Sequence, residues 1–199
     1  MSFSKQTIRD VPLDNHTVLV RADYDIPLDA KNVISNDSRI KSSLPTLKHL
    51  LNRGCKVVII SHLGHPNGCD QRYSLEPAAL RLAHLLGSDV RFVRETVGDR
   101  VFQAVKRAPK NSIIVLENLR FHTGEEVNDS DFAKKLVKST GARYFVQEGC
   151  GIVWQAHAST DAITMHIPSV AGLLLERDYK TILRATELPG IKNLLDSRT

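Results

Sequence analysis

The chain has 199 residues, 42% of them hydrophobic and 25% charged, which is enough for one globular domain with a sizeable core, or one domain and a small appendage. Its formal net charge of +5 raises the question of an acidic partner such as nucleic acid. The basic residues are dispersed among acidic ones, with no basic run and no interleaved aromatics, and that argues against one. Cys55, Cys69 and Cys150 are odd in number and lack CxxC spacing, so neither a disulfide framework nor a zinc site is expected. No apolar stretch reaches the length of a membrane span, and Met1-Ser2-Phe3-Ser4-Lys5 lacks the apolar core of a signal peptide. A cytoplasmic location is the expectation.

In chain order, Val18-Leu19-Val20-Arg21 reads as a first strand. Asn36 or Asp37 caps a helix from Ser38 toward Arg53, with Ile40, Leu44, Leu47, Leu50 and Leu51 on one side, a bend expected at Pro45 and Gly54 as the stop. Lys56 to Ser61 is a second strand. Ser74 caps a helix through Leu75, Ala79, Leu82, Leu85 and Leu86, closed by Gly87. Val90 to Val93 is a third strand, followed by a helix over Asp99 to Arg107. Ile113 to Glu117 is a fourth strand, Asp129 or Ser130 opens a helix to Lys138, and Arg143 to Gln147 is a fifth strand. A last helix is expected from Val170 to about Glu187.

Strands alternating with helices imply a parallel sheet covered on both faces, since parallel crossovers need an intervening helix. Ligands of such folds sit beyond the carboxyl ends of the strands. Those ends hold Asp23, His62, Arg120 and Gln147, and Ser61-His62-Leu63-Gly64-His65-Pro66 sets two imidazoles in a loop directly after a buried strand.

Taken together, VLVRADYDIPL, NDSRI, SHLGHP, YSLEP, LENLRFHTGEE and AHAST resemble, in order and spacing, the amino-terminal domain of phosphoglycerate kinase. The resemblance implies a Rossmann-like three-layer αβα fold with a parallel sheet of about six strands. It also implies binding of 3-phosphoglycerate, and a second domain that carries MgADP or MgATP. Asp23, Arg39, His62 and Arg120 match family positions that contact the glycerate or its phosphate, and Arg39 is the one implied to be catalytic. Three substrate positions differ: Asp25 stands for an asparagine, His65 for the arginine of SHLGRP, and Gln155 for an arginine, with Trp154 replacing the histidine beside it. The later GGAK and GGGD segments are missing, so no nucleotide-binding residue, metal site or cofactor is expected in this chain.

The resemblance places residues 1–187 in the amino-terminal-like domain. Residues 188–199 resemble the carboxyl terminus of a full-length kinase, a tail expected to pack on the same domain. The functional expectation is a phosphoglycerate-kinase-like protein with a degraded 3-phosphoglycerate site and no nucleotide domain, that is, a non-catalytic pseudoenzyme or truncated homologue. The alternative is half of a split kinase working with a separate nucleotide-binding domain. Expected partners are 3-phosphoglycerate or another small anion, held weakly, and a protein on the face left by the missing domain, with no nucleic acid and no membrane.

Several residues have simpler readings. His62 alone would pass for a loop histidine. His65 reads as a surface substitution, and no third ligand has the spacing to complete a metal site with the two histidines. Arg39, in a first helical turn, favours anions. Arg120, flanked by glutamates, is either ion-paired or ligand-binding. Trp154 is expected in core or hinge packing, Cys150 as a small buried residue, and His157 and Ser159 as cap or packing residues.

Overall fold

The computed structural model describes residues 5–29 and 32–186. Six strands form one sheet: β1 (Thr17–Arg21), β2 (Lys56–Ile60), β3 (Val90–Val93), β4 (Ile113–Leu116), β5 (Tyr144–Gln147) and β6 (Ser169–Ala171). Their order is β3-β4-β2-β1-β5-β6, and every pairing is parallel. The helices are α1 (Ser38–Asn52), α2 (Glu76–Leu86), α3 (Asp99–Arg107), the single turn α4 (Thr123–Glu126), α5 (Ser130–Thr140) and α6 (Leu173–Thr186).

Side chains alternate across a strand, and here both faces are apolar. Val18, Val20, Val57, Ile59, Ile113 and Val115 join Ile40, Leu47 and Leu50 of α1 and Ala79 and Leu82 of α2 in one core. Leu19, Val58, Ile60, Ile114 and Leu116 point the other way, onto Val101 and Val105 of α3 and Phe132 and Leu136 of α5. The result is the expected three-layer αβα arrangement.

Local chemistry sets the helix ends. Asn36 Oδ1 accepts from the Ser38 amide at 2.9 Å, while Asp37 is taken by Lys41 and Arg81. Asp129 Oδ1 accepts from the Phe132 amide at 2.7 Å, an N-cap in the usual sense. Gly87 and Gly141 end α2 and α5 in the left-handed region that a glycine enters at no steric cost. α1 runs unbroken through Pro45.

One element differs from expectation. Val170, anticipated in the last helix, lies in β6, whose residues pair with Phe145–Gln147 of β5; α6 begins only after Gly172. Three residues are too few to display strand periodicity, and pairing with β5 decides their conformation. Thr7 bridges to Ala171, so the amino-terminal segment meets this edge strand. The 187/188 boundary and the packing of the tail 188–199 lie outside the described residues. Among the described residues, no helix is long and apolar enough to cross a membrane.

Candidate functional site

After β2 the chain turns to α2 on one face of the sheet, and after the neighbouring β4 it turns to α5 on the other. Such a reversal opens a crevice at the carboxyl ends of the strands. The loops after β1, β2, β4 and β5 deliver Asp23 and Asp25, His62 and His65, Arg120, and the 148–159 segment to this end of the sheet.

The structure brings most of the anticipated residues together. Arg39, in the first turn of α1, forms an ion pair with Asp23. Asp25 Oδ1 accepts from the Gly64 amide at 2.8 Å, and its Oδ2 lies 3.8 Å from His62 Nε2. Arg120 is buried. It donates through Nη1 to the Gly64 carbonyl at 2.8 Å and meets His65 Nε2 at 3.3 Å. Its Nε lies 3.0 Å from Glu126 Oε1, an ion pair in which the N–H is not aligned on the carboxylate. His65 is largely exposed, with Nδ1 3.5 Å from the same Glu126 oxygen.

Gly64 has a φ of +58, and a Cβ there would fall 2.4 Å from a Tyr73 ring carbon. Glycine therefore lets the loop turn between Asp25 and Arg120. Gln155 sits further along. Its amide donates to the Ile152 carbonyl, its own carbonyl accepts from the Thr160 hydroxyl, and its Oε1 is buried without a hydrogen-bond partner.

A layer beneath the site was not singled out from the sequence. Arg21, the last residue of β1, is fully buried. Its Nε donates to Ser159 Oγ at 2.7 Å, its Nη1 to the Ala22 carbonyl, and its Nη2 lies 3.1 Å from His62 Nδ1. Ser159 Oγ donates to Glu125 Oε1, and the Ser159 amide donates to Glu125 Oε2 at 3.1 Å. The Glu125 carboxylate stands 3.9 Å from Arg21 Nη2. Ser159 is thus a buried link between two charged groups, more than the packing residue expected. The signal for this layer was an arginine closing an otherwise apolar strand, because a buried cation requires partners.

Burial, and then the neighbouring Arg21 and Arg120, push the His62 pKa down to about 2, so the ring is neutral. Burial also lowers the pKa of His157. At the end of β5, Glu148 is fully buried, and burial raises its pKa to about 8.

Two expectations for the 150–154 turn change. Trp154 is 75% exposed, with its indole Nε1 donating to the Gly151 carbonyl at 2.8 Å; it is not in the core. Cys150 is only partly buried. No group of three or more His, Cys, Asp or Glu among the described residues is placed to hold a metal ion.

Known proteins share this framework. The phosphoglycerate kinase from Fervidobacterium nodosum is 42% identical over 188 residues, covering 94% of this chain and 46% of that protein. The one from Dictyoglomus turgidum is 40% identical over 190 residues, covering 94% and 47%. Among solved structures, phosphoglycerate kinase from Pyrococcus horikoshii superposes with a TM-score of 0.83 at 28% identity, over 92% of this chain and 46% of that one. The chain therefore spans about half the length of the relatives it matches. The family pattern named phosphoglycerate kinase matches residues 8–193, and with these relatives it establishes that the chain belongs to the phosphoglycerate kinase family.

Proposed function

We propose that this domain is a weak acceptor-anion module of the phosphoglycerate kinase fold, which binds 3-phosphoglycerate or a similar small anion feebly and transfers no phosphoryl group by itself. The observation that carries the reading is that the site's cations are already engaged within the chain. Arg39 is paired with Asp23, Arg120 with Glu126, Arg21 with Glu125 and Ser159, and His62 is neutral. A ligand bearing a phosphate and a carboxylate is best held by free arginine forks. Here it must compete with Asp23 and Glu126 for them.

Residue identity points the same way. His65 and Gln155 stand where the resemblance implies arginines. If each lost charged hydrogen bond is worth about 1.5–3 kcal/mol, the two together weaken binding on the order of a hundredfold to ten-thousandfold. Phosphoryl transfer further requires Mg²⁺ and a nucleotide held in line with the acceptor, and the residues gathered here form the acceptor side alone.

A second reading, the acceptor half of a split kinase, draws on the retained Asp23, Arg39, His62 and Arg120. A coupled phosphoglycerate kinase assay, with and without an added nucleotide-binding domain, separates the two. The account expects no turnover in either arm. Turnover on adding the second domain would replace it with the split-kinase reading, and turnover by the chain unaided would overturn both.

A further inference from the structure

Arginine carries N–H donors and no acceptor. The 3.1 Å approach of Arg21 Nη2 to His62 Nδ1 is therefore a hydrogen bond only if Nδ1 is bare and accepts. The ring's proton then sits on Nε2, which is the nitrogen facing the site and lying 3.8 Å from Asp25 Oδ2. The Nδ1 contact sets the tautomer, and the carboxylate near Nε2 is compatible with it.

We propose that Arg21 is a positioning residue that fixes His62 as the neutral imidazole protonated on Nε2, so that His62 offers the acceptor site a directed, uncharged N–H donor. Nothing lets the guanidinium drift from this duty. Its Nε is tied to Ser159, its Nη1 to the Ala22 carbonyl, and Ser159 is held in turn by Glu125. The chain of contacts runs from Glu125 through Ser159 and Arg21 to His62, buried throughout, where hydrogen bonds are strong and costly to leave unmade.

The charged and titratable groups around His62 favour the same state. Arg21 from β1, Arg120 from the loop after β4, His157 from the loop after β5 and Arg39 from α1 all disfavour a positive charge on the ring. Asp25 is the carboxylate on the Nε2 side. A second proton on Nδ1 would point an N–H at an arginine N–H. The ring is consequently a donor at every pH near neutrality, and its contribution to anion binding is directional and not coulombic. That consequence for a ligand rests on the function proposed above, whereas the tautomer does not.

The test is imidazole-nitrogen NMR on the ligand-free full chain with its histidines isotopically labelled, His62 being identified by the signal lost in His62→Gln. The expected spectrum shows a pyridine-like Nδ1 and a pyrrole-like Nε2, unchanged between about pH 5 and 8, where an ordinary histidine titrates. A protonated Nδ1, or a midpoint near 6.5, would overturn the proposal. Arg21→Met should shift Nδ1 toward the averaged position of exchanging tautomers, while burial and Arg120 still hold the ring's titration below that of an ordinary histidine. If that variant does not fold, Ser159→Ala, which releases the guanidinium without touching His62, should broaden the His62 nitrogen signals through tautomer exchange. An unchanged His62 spectrum in the folded variant would also overturn the assignment of the role to Arg21. If the spectrum is as expected and 3-phosphoglycerate fails to bind, the function proposed above falls and the tautomer stands.

Discussion

Replacing Glu148 by Gln should stabilise the protein, increasingly so as the pH rises. The carboxyl group lies at the end of β5, under the start of α6, so close to Gly172 that a Cβ there would fall 1.7 Å from Oε2. Neither oxygen has a well-formed hydrogen bond. The Thr46 hydroxyl and the Leu174 amide favour the anion, but loss of hydration outweighs them and the pKa rises to about 8. An unfolded chain ionises the same group near 4.5. Between those values the folded state holds a proton that the unfolded state has released, so stability falls as pH rises. Each pH unit in that window costs about 1.4 kcal/mol. The deficit is on the order of 3 kcal/mol at pH 7, and it levels off near 5 kcal/mol above pH 8. Glutamine keeps the shape and removes the ionisation. Urea denaturation of both chains at pH 5, 6, 7 and 8 should show curves that nearly coincide at the acid end and diverge by several kcal/mol at the basic end. Asp178, Arg177 and Tyr24 are common to both proteins, so the difference isolates Glu148. Parallel profiles would refute the reasoning.

Two further substitutions probe the site. Glu126→Gln should release Arg120 and tighten 3-phosphoglycerate binding by up to about tenfold, the modest size following from a half-exposed carboxylate in a screened pair; calorimetric titration reads it, and unchanged affinity would count against the pairing argument. Gly64→Ala should cost about 1–3 kcal/mol in thermal unfolding, because the left-handed φ and the Tyr73 ring both oppose a methyl group. A melting temperature equal to that of the parent chain would show that the loop can relax.

How far the sequence spoke depended on how local the determining physics was. Lys56–Ile60 and Ile113–Leu116 were legible because buried strands are short apolar runs bounded by turn residues, and α5 because Asp129 supplies its own cap. β6 was not legible, since Ser169–Ala171 becomes a strand only through β5. The apolar content of Trp154 suggested burial, yet its indole finds a partner in the Gly151 carbonyl while the ring stays in solvent. The residues of the site could be read from motif spacing. Their ion pairs could not, because Arg39–Asp23 and Arg21–Glu125 join residues of different elements, far apart in the chain, and only the folded sheet sets those distances.

The central claim is that this acceptor site is weak because its cations are few and already engaged. The most direct measurement is calorimetric titration with 3-phosphoglycerate, at one ionic strength, of the unmodified chain and of the triple variant Asp25→Asn, His65→Arg, Gln155→Arg. With Asp23, Arg39, His62 and Arg120 already in place, the variant should bind on the order of a hundredfold to ten-thousandfold more tightly. Equal affinity in the two proteins would contradict the account.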